Sequence, residues 1–483
     1  MTVTSRVIPK ETSYSFVLFF LFSFLTLSII PLYRIQHFES WPPGDLVYSH
    51  MRIGQYIFSS GFPEQNPSLL LDVPFHFDPF DLVIGLFGTL FSYKIAALFL
   101  PALLGLLTLF FLYKLLGLFF SHPKQHLLAG LFCLTNPVFL TLFTEATNLT
   151  FITFCLAAGS YFFIQKDRSQ YVAPLFFGMI LFYGSAHILL TIILILSLGK
   201  ITSKFKYGNL LSLLFLLCLI VQFFFSSLKL QILFPALITL FQQLFSDFGG
   251  KFGMSVFALF ISVFGVYAFW TERKTRIPLS SFFFILTALF FTLFSAAYYS
   301  LYLILPLSFF ATTGFFSLLR RQWKMENLRS LTVFLIVLGI IFSATSTISR
   351  TASFDPNPEM MDALLWLKEN SYENAIILTS EKYANTVTST TERRVIYDKL
   401  AAAAPENELI VEEVQRLFHT RDIDEALSLF EHYQIDYVVV FSDMSSGLVW
   451  GSNDEGLLFV LQNGKNFKKV FENNNVAIWS VQY

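Results

Sequence analysis

Residues 14–33 read YSFVLFFLFSFLTLSIIPLY, and residues 44–63, a short loop later, read GDLVYSHMRIGQYIFSSGFP. The first is an apolar run of about 20 residues, the length a helix rising 1.5 Å per residue needs to cross a hydrocarbon core about 30 Å thick. Arg6 and Lys10 precede it. It is longer than a signal-peptide core and lacks a small-residue cleavage site, so an uncleaved first span is expected. The second stretch is periodic from Asp45 and bracketed by Trp41-Pro42-Pro43-Gly44 and Gly61-Phe62-Pro63. A helix is therefore expected from Asp45 to about Ser60, inside an external loop covering 34–95.

The rest of the chain follows the same division between apolar passes and external polar pieces. Of its 483 residues 55% are hydrophobic and 13% charged, with mean hydropathy +0.61, whereas a soluble globular protein carries about 25% charge. The net charge of −1 conceals two halves. Residues 1–349 hold 21 Lys and Arg against 12 Asp and Glu, and residues 350–483 hold 11 against 21. A polytopic membrane domain (1–349) followed by a small acidic soluble domain (350–483) is expected. This excludes a soluble enzyme, a fibrous protein and a disordered tail, and neither half carries the concentrated basic patch of a nucleic-acid binder. Cys133, Cys155 and Cys218 lie in apolar runs without zinc-type spacing and read as packing residues.

Eleven apolar passes are expected, at 14–33, 96–119, 127–144, 149–165, 171–184, 186–199, 207–226, 253–271, 278–296, 298–319 and 328–348. Treating Gly184-Ser185 as a break between two short passes puts fifteen loop cations on the side of the N-terminus and five outside, as positive-inside orientation requires. The N-terminus is then cytoplasmic and the C-terminal domain extracytoplasmic, in a multi-pass protein of, most naturally, the cell membrane. The piece at 82–91 is too short to cross and suits a re-entrant or interfacial helix, as does the amphipathic stretch 228–245 for the outer interface. In the tail, helices near 358–370, 406–418 and 422–433 alternate with strands near 375–380, 394–398 and 436–441. A hairpin of 467–472 and 476–482 closes it, giving an α/β domain with a mainly parallel sheet.

Eight acids of the membrane half face outward: Glu39, Asp45, Glu64, Asp72, Asp78, Asp81, Glu145 and Asp247. Acids at membrane level are costly, and their usual reason is chemistry or an aqueous surface. Asp45 follows the first span and is either an N-cap or a working carboxylate. Glu145 must mark a turn, because one helix over 127–165 would run about 58 Å. Asp247 precedes the eighth pass. Such carboxylates could act as a general base on an acceptor hydroxyl or amine, or hold a divalent cation (Mg or Mn) through oxygen while nearby cations meet a phosphate leaving group. Arg52, on the face of Asp45, could meet a phosphate or snorkel to headgroups. His50 stands between them. His187, after the Gly184 break, reads as a helix-end ligand contact or a satisfied histidine.

The stretch GDLVYSHMRIGQYIFSSGFP resembles the first-loop signature of the GT-C glycosyltransferase superfamily, an Asp after the first span followed by His or Asn, then Arg, then Gly and Pro. The piece DPFDLVIGLFGTLF, the Pro101-containing span, the Asn136-Pro137 turn and the acid-plus-Asn pattern of Glu145 and Asn148 come in the same order. The closing α/β domain resembles the layout of oligosaccharyltransferase catalytic subunits. The resemblance implies Asp45 as principal catalytic acid, Glu145 and Asp247 as further loop acids, and a polyprenyl-phosphate-linked sugar as donor. Asp45, Glu145 and Asp247 would also be the candidate metal ligands, and His50, Arg52, Asn148, His187 and Lys251 the substrate-binding residues. The WWDxG and TIxE motifs are absent, so the acceptor is left among glycan, lipid and protein. Two other classes stand beside this reading: a transporter or flippase for a lipid-linked substrate, and an inactive envelope scaffold. Transporters tend to place acids at the midplane in repeated halves, whereas these acids cluster at one face.

Overall fold

The structure, a computed structural model, describes residues 10–66, 69–70, 75, 77–120, 122–165, 168–201, 205–225, 242–272, 279–402, 407–452 and 454–483. Asp72, most of the amphipathic stretch 228–245, and the loop cations Arg6, Lys166, Lys204, Lys229, Arg273, Lys274 and Arg276 lie outside the described residues. Two compact units result, Met1–Tyr33 with Leu98–Ala352, and Arg34–Ala97 with Ser353–Tyr483.

The first unit is helical. Among the described residues four helices are long and apolar enough to cross a membrane: Phe16–His37, Tyr93–Leu116, Ala297–Arg320 and Glu326–Ala352. Of the remaining apolar helices, Phe205–Phe225 runs 21 residues and the others are shorter than about 20, with breaks that have local causes. At 127–144 the chain stops at Leu134 and restarts at Pro137, with the Asn136 side chain accepting Val138 N–H at 3.0 Å. Around Gly184 one piece ends at Phe182 and the next begins at Ser185. The helices Val256–Glu272 and Ile304–Arg320 cross backbone to backbone. A Cβ on Gly265 would sit 1.8 Å from Phe310 O and one on Gly314 2.2 Å from Ile261 O, so only glycine allows this approach. Phe132, Ile261, Ala311, Leu318, Ile336 and Ile340 form a core beside it. Outward faces stay apolar, with Leu18, Phe22, Leu25, Phe334 and Phe342 all more than half exposed, as lipid-facing surface does.

In the second unit the helices α1 (Leu46–Ser60) and α2 (Pro79–Leu90) form the first-loop part. The tail contributes α3 (Pro358–Asn370), β1 (Ile376–Leu378), α4 (Ala384–Thr391), β2 (Arg394–Val395), α5 (Glu408–His419), α6 (Ile423–Tyr433), β3 (Ile435–Phe441), α7 (Gly456–Asn463), β4 (Phe467–Glu472) and β5 (Val476–Val481). The five strands run in the order β2-β1-β3-β5-β4. The first three are parallel, and the closing hairpin adds two antiparallel strands, so the sheet is mixed, not mainly parallel. A hairpin joined by Asn473–Asn475 can return only antiparallel. The first loop reaches the sheet's edge, where Leu69 bridges Val395 and Leu70 N–H bonds Val395 O at 2.8 Å.

Arg34 fastens this unit. Its fully buried guanidinium donates to Trp41 O at 2.8 Å, Phe354 O at 2.6 Å and Pro356 O at 2.8 Å. Buried polar groups are held in such partnerships.

Candidate active site

Asp45 sits at the N-cap position of α1 but does not cap it: no N–H of that helix bonds its side chain. Its carboxylate turns to the start of α4. Oδ1 accepts both Thr386 N–H at 2.8 Å and Thr386 Oγ1–H at 2.7 Å, and Oδ2 accepts Asn385 Nδ2–H at 2.8 Å. The side chain keeps partial exposure. Burial pushes its pKa up to about 6, against the Thr386 and Asn385 hydrogen bonds that pull it down; Asp398 adds to the rise. A carboxyl in that range is a workable base near neutral pH.

Arg52, two turns along α1, has its Nε and Nη2 buried without a hydrogen-bond partner among the described residues. Burial lowers its pKa to about 10, opposed by the charge of Asp398. Asp398 is itself buried and accepts Ala401 N–H at 2.8 Å. A guanidinium with unused donors is a ready partner for a phosphate.

His50 has a different environment. A Cβ on Gly54 would meet Asp81 O at 2.9 Å and Gly85 N at 3.0 Å, so α1 and α2 cross at these two glycines. His50 lies one turn before Gly54 and Asp81 one turn before Gly85, and the crossing sets His50 Nδ1 2.6 Å from Asp81 Oδ1. Both are buried. Burial alone would lower the histidine pKa, but the charge and hydrogen bond of Asp81, with Asp78 adding, raise it. Asp78 caps α2 by accepting Phe80 N–H at 2.8 Å.

In the helical unit Glu145 and Lys251 meet. Glu145 is buried in the turn before helix Asn148–Ile164, a turn closed by Thr150 Oγ1–H donating to Glu145 O at 2.8 Å. Lys251 is carried by a loop in which Gly249 (φ +101°) supplies the left-handed step and Phe245 bridges Met254. Its Nζ lies 2.8 Å from Glu145 Oε1 and donates to Oε2 at 2.9 Å. Asn148 is the first residue of the following helix. In the same loop Asp247 Oδ2 accepts Val256 N–H at 2.8 Å, at the start of helix Val256–Glu272, while Oδ1 is buried without a hydrogen-bond partner among the described residues. His187 Nδ1 lies 3.0 Å from Tyr302 Oη, with the rings of Tyr298 and Tyr299 beside it. Ser300 Oγ–H donates to Phe252 O at 2.9 Å, which links this tyrosine segment to the Lys251 loop.

The expected residues therefore fall in two sets. His50 and Arg52 lie on α1 with Asp45 at its N-cap position; Glu145 lies in the turn before the helix that Asn148 opens, an ion pair joins it to the loop of Asp247 and Lys251, and His187 joins through Tyr302. Sequence reasoning missed Asn385, Thr386 and Asp398. Their one signal was the run Ala384-Asn385-Thr386-Val387-Thr388-Ser389-Thr390-Thr391, too polar for a core strand and too β-branched to read as a helix. Among the described residues no three His, Cys, Asp or Glu side chains gather as they would around a metal ion.

No family model matches the chain, and no curated protein gives a significant match. Solved structures do. The Archaeoglobus fulgidus oligosaccharyltransferase in its apo form aligns over 91% of this chain and 71% of its own, at 13% identity and TM-score 0.64. ArnT from Cupriavidus metallidurans aligns over 98% of both chains, at 13% identity and TM-score 0.59. The arabinofuranosyltransferase AftD from Mycobacteria aligns over 99% of this chain and 42% of its own, at 13% identity and TM-score 0.53. All three are GT-C glycosyltransferases. The chain has the GT-C fold. Other structures of the first two proteins hold a dolichol-phosphate with an inhibitory peptide, an acceptor peptide, zinc with sulfate, and undecaprenyl phosphate. Four helices long and apolar enough to cross a membrane, in a fold shared with membrane glycosyltransferases, point to a multi-pass membrane protein.

Proposed function

We propose that the protein transfers a sugar from a polyprenyl-phosphate-linked donor to an acceptor hydroxyl or amine at the external membrane face, with Asp45 as the general base. The observation that carries the reading is the Asp45 carboxylate, partly exposed, held by three donors and tuned to about 6. Oδ2 has one acceptor position free. In the transfer, Asp45 takes the acceptor's proton as its oxygen or nitrogen attacks the anomeric carbon. The bond from that carbon to the phosphate oxygen breaks, and the lipid phosphate leaves with the electron pair. Arg52, with donors to spare, would neutralise that developing charge.

In the helical unit Lys251 is the cation, and Glu145 and Asp247 are the acids, with assisting roles; Asn148, His187 and, in the other unit, His50 are offered as substrate contacts. The orientation belongs to the same proposal: N-terminus cytoplasmic, residues 350–483 extracytoplasmic. A divalent cation would find here the unpartnered Asp247 Oδ1, and when bound would supply charge neutralisation at the leaving phosphate.

A glycan profile of the cell envelope tests the reading. A strain lacking the protein should lose one sugar from its glycolipids or glycoproteins, wild-type protein should restore it, and Asp45→Asn should not, with normal amounts in the membrane. Restoration by Asp45→Asn would remove Asp45 from the chemistry.

A further inference from the structure

A base works only if its reactive lone pair points at the incoming proton, and an aspartate alone on a helix start can rotate about χ1 and χ2. Asp45 is not left to rotate. Thr386 gives Oδ1 two hydrogen bonds, from its N–H and its Oγ1–H, which fill both acceptor positions of that oxygen. Asn385 fills one position on Oδ2. Among the described residues, the other position on Oδ2 is the single acceptor site the carboxylate has left.

Both sides of this contact are anchored to the same short segment. The residue before Asp45 is tied down by Gly44 N–H to Asp355 O at 2.8 Å. The residue before α4 is tied down through Tyr383, whose hydroxyl donates to Asp443 Oδ2 at 2.5 Å and reaches Asp355 Oδ2 at 3.3 Å, and whose ring lies 4.1 Å from that of Phe441 at the end of β3. Arg34 in turn holds the carbonyls on either side of Asp355. The donors thus sit on a braced frame that neither α1 nor α4 could supply alone.

We propose that Asn385 and Thr386 are positioning residues, which lock the Asp45 carboxylate so that Oδ2 alone takes the acceptor's proton. The inference rests on the transfer reading given above and extends it to two tail residues. It gives a role to the buried polar start of α4, whose threonines at 386, 388, 390 and 391 are buried although threonine is a weak helix former.

The experiment uses the full chain and two readouts. In detergent, melting temperatures of wild type, Asp45→Asn, Thr386→Val and the double variant should be non-additive, because the second change removes a bond the first has already weakened. Additive shifts would overturn the contact itself. In the deletion strain, the rate at which the missing envelope sugar reappears after induction should fall about ten- to a hundredfold with Thr386→Val, the worth of one hydrogen bond to a charged group. Thr386→Ser, which keeps the hydroxyl, should run within about twofold of wild type on the same reasoning. Equal slowing by Val and Ser would reduce Thr386 to packing and overturn the inference. A wild-type rate for Thr386→Val, with Asp45→Asn inactive, would overturn it while leaving the transfer reading intact. A wild-type rate for Asp45→Asn would end both.

Discussion

Asp81→Asn should weaken the fold in a manner that depends on pH, and the direction of that dependence decides what His50 is for. The pair is 2.6 Å apart with side chains 10% and 2% exposed, and Asn keeps the shape while removing the charge. A hydrogen bond between charged partners is worth about 1.5–3 kcal/mol, so a loss of about 2 kcal/mol is expected where His50 is protonated. For a domain of about 200 residues 1 kcal/mol moves the melting temperature roughly 2–4 °C, giving a fall of roughly 4–8 °C. The His50 pKa is raised in the folded state. Its stabilisation is therefore complete below the ordinary histidine value of about 6.5 and is lost as pH rises through the higher folded value. The gap between wild type and Asp81→Asn should be largest near pH 6 and shrink toward pH 9, where a neutral His50 still donates Nδ1–H to the ionised Asp81 carboxylate. Asp78, the other acid facing the ring, is unchanged in both proteins and cancels. Melting scans of the purified protein at four pH values settle it. A gap that stays constant or widens with pH would refute a charged buried pair.

Three further outcomes follow from the packing. Gly314→Leu should cost at least 1–3 kcal/mol and lower the melting temperature, because its Cβ would stand 2.2 Å from Ile261 O and backbone cannot swing aside; an unchanged melting temperature would contradict the crossing. Lys251→Met should destabilise by about 1–3 kcal/mol by leaving the buried Glu145 carboxylate uncompensated, and adding Glu145→Gln should recover part of that loss in a double-mutant cycle; strict additivity would deny the pair. Arg34→Met should cost about 1–3 kcal/mol or more, since it removes the donors to the carbonyls of Trp41, Phe354 and Pro356; limited proteolysis of the tail at wild-type rate would argue against the brace.

Much of the fold could be read from local pattern, because local pattern made it. The run 14–33, the helix after Gly44-Asp45, the Asn136-Pro137 break and the tail's alternation each depend on neighbours in sequence, and each element appears. The Asp45 N-cap alternative failed for the opposite reason. An isolated helix would have used that carboxylate for its own first turn, but three donors on two residues more than 300 positions away compete for it and win. Nothing in the sequence around Asp45 carries that information. The His50–Asp81 pair was hidden similarly: both residues were read as outward groups, and only the crossing of Gly54 on Gly85 turns them toward each other. The Lys251–Glu145 pair needed a loop closed by Gly249 to be seen. Close approaches and charge pairs belong to tertiary packing, which spacing along a chain does not encode.

The central claim is that this chain consumes a lipid-linked sugar through Asp45. Mass-spectrometric measurement of polyprenyl-phosphate sugars in membranes tests it most directly, because a donor accumulates when its consumer is lost. One species should rise in the deletion strain, fall to the ordinary level when wild-type protein is restored, and stay raised with Asp45→Asn. Unchanged donor levels in the deletion strain, or a normal level with Asp45→Asn, would contradict the account.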